Sequence, residues 1–141
     1  MNPARRFAQQ RPSDAGVNDG FIGCLTVAKL CDLASDDLRF YIDHAPSDGG
    51  PRTISDIDWA LLQRLRDLRI NPSAFEEAVE EMGWLRAMLS VMVIDRNRAH
   101  PTRPIWNCGG ALRAFTKRYK RGELDLRASI FGIWGREGRV H

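Results

Sequence analysis

The amino-acid sequence predicts an all-α protein: a single compact bundle of five to six helices behind a disordered N-terminal arm. From residue 21 onward, apolar residues recur three or four positions apart, which is the period of an α-helix. No run alternates apolar and polar residues as a half-buried strand would, apart from short ambiguous pieces such as "VMVI". A chain of 141 residues suits one domain with a true core and is too short for two of ordinary size.

The predicted arm covers residues 1–20, and the predicted helical domain covers residues 21–141. The arm is polar, lacks periodicity and is interrupted by Pro3, Pro12, Gly16 and Gly20. No apolar block follows its early arginines, so it does not read as a secretory signal. Nor is any apolar run long enough to cross a bilayer. We therefore expect a cytoplasmic protein without a membrane partner.

The first helical segment, "FIGCLTVAKLCDLAS", places Cys24 and Cys31 seven residues apart, which predicts two buried thiols on one helix face. Ser35 or Asp36 then caps a short segment, "DDLRFYI". The loop "DHAPSDGGPR" follows. Three cysteines without a CxxC pair and three scattered histidines do not form a zinc pattern, so we expect no metal and no cofactor.

Two helices in the middle of the sequence have clear start or stop signals. In "SDIDWALLQRLRDLRI", Ser55 is the predicted N-cap. Trp59, Leu62 and Leu65 form the predicted inward stripe, with Leu61 and Leu68 as further candidates. The next helix, "NPSAFEEAVEEMG", is predicted to start with Pro72 in its first position and to end at Gly83. Its cap is Asn71 or Ser73, with Ser73 and Glu76 matching a capping box.

Three further segments complete the predicted bundle. "WLRAMLSVMVIDRN" is apolar on nearly all sides and therefore belongs in the middle of the fold. After the proline-containing loop "RAHPTRPIW", Asn107 is the predicted cap of a helix that runs to about Arg121 and stops at Gly122. "ELDLRASIFGIW" is the last predicted helix, capped by Asp125.

Charge is distributed unevenly along the chain. Residues 1–95 carry a net charge of −5 and residues 96–141 a net charge of +8, which suggests a polarised surface whose basic part meets a polyanion. Five cations fall within nine residues of the Asn107 helix, and no acid lies among them to compensate. A solvated helix face is the plain alternative. The sequence nevertheless favours contact with nucleic-acid phosphates, and the predicted contact residues are Arg113, Lys117, Arg118, Lys120, Arg121 and, on the last helix, Arg127.

Four acids occupy the outer side of the "NPSAFEEAVEEMG" helix. Either they form a solvated face, or they dock a basic partner or the basic helix of a second copy of the chain; the predicted partner-binding residues are Glu76, Glu77, Glu80 and Glu81. Exposed carboxylates lack the desolvation that tunes an acid–base pair, and no Ser/His/Asp or Cys/His arrangement is present. We therefore expect no enzymatic activity.

The paired glycines after Asn107 allow two interpretations. Bare amides at a helix N-terminus can hold a phosphate. Alternatively, Gly109 and Gly110 let the helix pack closely on Trp106 or on a neighbouring helix. The second interpretation is favoured because no lysine and hydroxyl complete a Walker-type loop.

Taken together, "INPSAFEEAVEEMG", "IDR" and "IWNCGGALRAFTKRYKRGELDL" resemble the C-terminal domain of RepC-type replication initiators of plasmids with repABC replicons. The resemblance covers roughly residues 24–134, and its matching positions are Asn71 to Phe75, Met82, Gly83, Arg96, Asn107, Gly109, Gly110, Leu112, Arg113, Gly122 and Glu123. Ala111 departs from the family, which usually has an aromatic residue there. The family's winged-helix N-terminal region lies outside this chain, so the chain is either a domain of a longer initiator or a free-standing relative.

The resemblance implies a place in plasmid or mobile-element replication, in association with DNA. The leading hypothesis is an accessory or regulatory domain that contacts DNA phosphates weakly and with little sequence preference. The alternative is a protein-interaction module, or an anti-activator, that binds an initiator or a transcription factor through its acidic helix or an exposed apolar groove.

Overall fold

Eight α-helices make up the regular secondary structure of the residues described by the computed structural model, 19–46 and 49–136, and no strand occurs in that part of the chain. In chain order they are α1 (Asp19–Gly23), α2 (Val27–Leu33), α3 (Asp36–Asp43), α4 (Ile54–Asp67), α5 (Pro72–Met82), α6 (Trp84–Asn97), α7 (Cys108–Lys120) and α8 (Leu126–Arg136). The all-α prediction is confirmed. The count exceeds the five to six helices expected.

The extra helices arise at the front of the chain, where residues 19–43 form three short helices. The helix breaks at residues 24–26, and the Thr26 side chain accepts the Lys29 N–H to start α2. This break turns Cys24 out to solvent and leaves Cys31 half-buried, so the prediction of two buried thiols is wrong. Helix α1 also begins inside the predicted arm, at Asp19. The rest of the arm, residues 1–18, lies outside the described residues.

Helix α4 starts two residues earlier than its sequence suggests. Thr53 and Asp56 form a capping box, in which each side chain bonds to the other residue's backbone N–H. Ser55 is therefore inside the helix and is not its cap. The inward stripe is rotated accordingly: Leu61 is fully buried, whereas Leu62, predicted to face inward, is 47% exposed.

In the second half of the chain, the helices start and end close to where the local sequence predicts. Asn71 caps α5 by accepting the Ser73 N–H, Pro72 occupies the first helical position, and Gly83 ends the helix at a positive φ of 87°. The Ser73–Glu76 box does not form, because the Ser73 hydroxyl donates to the Asn71 side chain instead. Asp125 caps α8 by accepting the Ala128 N–H.

Helix α6 is the centre of the fold, as its all-round apolar sequence predicts. Eleven of its residues are buried, and it packs against α2, α4, α5, α7 and α8. Helices α5 and α7 lie side by side next to it, and α3 lies along α4. This arrangement brings the acidic helix and the basic helix into direct contact.

Candidate nucleic-acid interface

The N-terminus of α7 is built around the Asn107 side chain. Its Oδ1 accepts the Gly110 N–H at 2.9 Å. A Cβ on Gly110 would lie 3.1 Å from Asn107 Nδ2, so the glycine gives room to the capping side chain. A Cβ on Gly109 would lie 4.0 Å from the Ile70 Cα, which is ordinary contact, and Trp106 is 90% exposed. Gly110 thus leaves space for the capping side chain of Asn107, and neither glycine packs against Trp106.

Five cations lie on α7, counting Arg121, the residue that caps its C-terminus, and two of the five are bonded to the acidic helix α5. Arg113 Nη1 lies 3.5 Å from Glu77 Oε2, and its Nη2 donates to the Ser73 hydroxyl at 3.2 Å. Lys120 Nζ lies 3.6 Å from Glu81 Oε1. All four charged side chains keep 30–50% of their surface in solvent, so each pair contributes at most about 1 kcal/mol. These pairs form a seam of opposite charges between α5 and α7.

Lys117, Arg118 and Arg121 have no carboxylate partner among the described residues, and all three are exposed. At 3.6 residues per turn, Lys117 and Arg121 share the outermost side of α7, and Arg118 lies on the flank away from the seam. The Arg118 guanidinium sits 5.7 Å from the Phe115 ring centroid, a contact that leaves its donors available. We refer to these three residues as the outer cations.

Arg127, the sixth predicted contact residue, lies in a separate environment on α8. Its guanidinium is 5.8 Å from the Phe21 ring centroid and 5.4 Å from that of Phe131. The two rings are themselves 5.4 Å apart. Arg127 therefore covers an aromatic pair formed by α1 and α8.

The four predicted partner-binding acids divide into two pairs. Glu77 and Glu81 face α7 and belong to the seam. Glu76 and Glu80 are exposed on the side of α5 away from α7 and have no cation partner among the described residues. Within this chain, Glu77 and Glu81 therefore face the basic helix α7. Docking of a separate basic partner or of a second copy by the acidic helix stays a prediction.

A buried ionic network, which the sequence did not indicate, joins α3, α4 and α6. Arg64 donates to both carboxylate oxygens of Asp95, at 3.1 and 2.9 Å, and its side chain also lies 3.3 Å from Asp37 and 3.4 Å from Asp67. The Ser35 hydroxyl donates to Asp95 Oδ2 at 2.5 Å. Burial alone would lower the pKa of Arg64, but its hydrogen bonds and charge interactions with the surrounding carboxylates together raise it. Asp95, a carboxylate near the end of the mostly apolar α6, is the sequence feature that could have indicated this network.

A polar cavity of about 440 Å³ borders this network, but its charges are largely used inside the fold. Arg64 is held by three carboxylates, and Arg96 donates to the carbonyl oxygens of Asp32, Leu33 and Ala34 at the end of α2. Among residues 19–46 and 49–136, no cluster of three or more His, Cys, Asp or Glu side chains is arranged to hold a metal ion. We therefore interpret the network as one that stabilises the fold.

Asp58, on α4, has a strongly shifted pKa. Its Oδ1 is buried without a hydrogen-bond partner. Desolvation raises the pKa of its carboxyl to about 6. The local sequence around Asp58 does not indicate this burial.

No protein-family model, curated protein or solved structure matches the chain. None of the described helices combines the length and the apolar character needed to span a membrane.

Proposed function

We propose that this chain is a non-enzymatic domain that contacts nucleic-acid phosphates through the outer cations of α7. The observation that carries the proposal is that Lys117, Arg118 and Arg121, on one exposed part of the helix, have no carboxylate partner within residues 19–46 and 49–136. Cations that are hydrated and unpaired in the free protein release counterions from DNA without first breaking an internal ion pair. The seam residues Arg113 and Lys120 contribute less, because each must exchange a glutamate for a phosphate.

The proposed biological role is accessory or regulatory, in the initiation of plasmid or mobile-element replication. This part of the proposal is supported by the resemblance to RepC-type C-terminal domains, whose motif positions fall on α5, α6 and α7 or directly beside their ends. Side chains on the exposed surface of α7 include no Asn or Gln that would read adenine. We therefore propose binding that is weak, sensitive to salt and largely independent of sequence.

The decisive experiment is the salt dependence of binding to a mixed-sequence DNA duplex. We expect the triple variant Lys117→Ala, Arg118→Ala, Arg121→Ala to lose about three phosphate contacts. The slope of log K against log [salt] then becomes shallower by roughly 0.9 per contact. Fluorescence anisotropy between about 50 and 200 mM salt covers the range in which such contacts are resolved.

A charge-matched control separates a local site from a general charge effect. The variant Lys29→Ala, Arg39→Ala, Arg103→Ala removes three exposed cations that lie outside α7. It should leave the slope close to that of the unaltered chain. Equal slopes for the two triple variants would refute a binding site on α7.

A further inference from the structure

An open apolar groove lies between the C-terminal half of α4 and the start of α5. It has a volume of about 820 Å³. Its floor is formed by Leu65, Ile70 and Phe75, each 5–8% exposed, and its wall by Leu62, which leaves 47% of its surface in solvent. Leu62 extends the apolar floor out to the solvent, so the groove is a contiguous apolar surface that no other residue of 19–46 or 49–136 covers.

The rim of the groove carries a definite charge pattern. Arg66 and Arg69 line the α4 side, both exposed and without a carboxylate partner among the described residues, and Glu76 lines the α5 side. Arg69 is also a non-glycine residue with a φ of 56°, in the position just after the helix where glycine is preferred. The chain thus keeps a cationic side chain on the rim at a position where its backbone favours glycine.

The shape and chemistry of the groove select the class of ligand. Its polar groups lie on the rim, and its floor is apolar, whereas small-molecule sites usually hold fixed polar groups inside. The described part of the chain offers no sheet edge on which an extended peptide could add a strand. An amphipathic helix that inserts two or three apolar side chains satisfies both conditions.

We propose that this groove docks an amphipathic helix of a partner protein, with acidic residues along the edge that meets Arg66 and Arg69. Apolar side chains spaced at i, i+3 or i+4, and i+7 fill the space beside Leu62. The acidic edge pairs with the two arginines, and Glu76 disfavours acids on the opposite edge. This surface is independent of the phosphate contacts proposed for α7.

The test uses the full chain, labelled with ¹⁵N, and three synthetic helical peptides of one apolar pattern. Their polar positions are acidic, neutral or basic. We expect the acidic peptide to shift the backbone amides of residues 62–76 and to bind on the order of tenfold more tightly than the basic peptide at low salt. If no peptide shifts these amides, or if the basic peptide binds equally well, the proposal is overturned.

Two variants and their controls locate the interaction. Leu62→Ser should weaken binding of the acidic peptide several-fold, whereas Ile54→Ser, which alters a similarly exposed residue at the other end of α4, should not. Arg69→Gly removes the cation at a position whose backbone suits glycine, so the fold is retained. It should reduce the preference for the acidic peptide, and Arg103→Gly, away from the groove, should not.

Other occupants of the groove give distinct results. If the chain sediments as a dimer that Leu62→Ser converts to a monomer, a second copy covers the groove and the proposal is wrong. If a synthetic peptide of residues 1–18 competes with the acidic peptide at equal concentration, a segment of the same chain is the occupant, and the proposal is likewise overturned.

Discussion

Asp95 and Arg64 show how two charged residues become part of a core. The Asp95 side chain is 1% exposed and that of Arg64 7%, and the two share a bidentate pair of hydrogen bonds. Without Asp95, Arg64 would keep only its longer contacts to the more exposed Asp37 and Asp67. Because breaking a buried pair is strongly destabilising, we expect the loss of Asp95 to be costly.

We predict that Asp95→Ala lowers the free energy of unfolding by about 3–5 kcal/mol, the usual cost of breaking a buried ion pair. Asp37→Ala is the matched control, since Asp37 contacts the same guanidinium but leaves 72% of its side chain in solvent. Its loss should cost no more than about 1 kcal/mol. Urea denaturation measures both values. Similar losses for the two variants would contradict the role assigned to the buried pair.

Asp58 makes folding stability fall with rising pH, whereas most carboxylates make it rise. Its pKa is about 6 in the folded chain and near 3.8 when the group is unperturbed, so between these values the folded state binds more protons than the unfolded state. Stability from this group is therefore greatest below about pH 4 and falls as the pH rises to about 6, above which it is constant.

We predict that Asp58→Asn removes this dependence. The stability of the variant relative to the unaltered chain should rise between about pH 4 and pH 6 by an amount on the order of 1 kcal/mol, since the half-exposed group is partly screened by solvent. Denaturant midpoints measured at several pH values give the difference. A difference that stays constant with pH would show that the Asp58 carboxyl titrates normally.

At the scale of whole elements, the pairing of α5 with α7 determines which cations are available. Helical spacing predicted correctly that these cations are exposed, because the period of an α-helix is a local property. Their pairing depends on which helix lies alongside, and Arg113 and Glu77 are thirty-six positions apart in the sequence. No local pattern contains that information.

We predict that releasing the seam strengthens binding to nucleic acid. The double variant Glu77→Gln, Glu81→Gln frees Arg113 and Lys120, so the dependence of log K on log [salt] should steepen by up to two contacts of roughly 0.9 each. The control Glu76→Gln, Glu80→Gln removes the same negative charge from α5 and frees no seam cation. If both variants strengthen binding equally, net charge is responsible and the seam is not.

Helices α5 and α7 could be predicted because each carries its own start and stop signals, and α8 because Asp125 marks its start. Helix α6 has no side-chain cap and was predicted from its apolar composition. Asn71, Asn107 and Asp125 all cap as their positions suggest, and Gly83 and Gly122 follow their helices with positive φ values. The sequence did not predict which face of helix α4 is buried. Its leucines cover too wide an arc for the sequence to decide between Leu61 and Leu62, and packing on α3 and α6 decided for Leu61.

On the scale of the whole molecule, α6 connects the two halves of the chain. Its burial on all sides was predicted from composition, but the polar contacts at its C-terminal end were not. Asp95 reaches Arg64 and Ser35, and Arg96 reaches the last carbonyl oxygens of α2, which precede it by more than sixty residues. Such long-range contacts explain why the front of the chain was the part least accessible to prediction.

The hydrogen bonds from Arg96 to the end of α2 also affect the order in which a newly synthesised chain can fold. Helix α2 has seven residues, too few to persist alone in water. Its main partners, α6 and α8, both follow it in the sequence. On a translating ribosome, α2 must therefore wait, without its native neighbours, until the segment around Arg96 has left the exit tunnel.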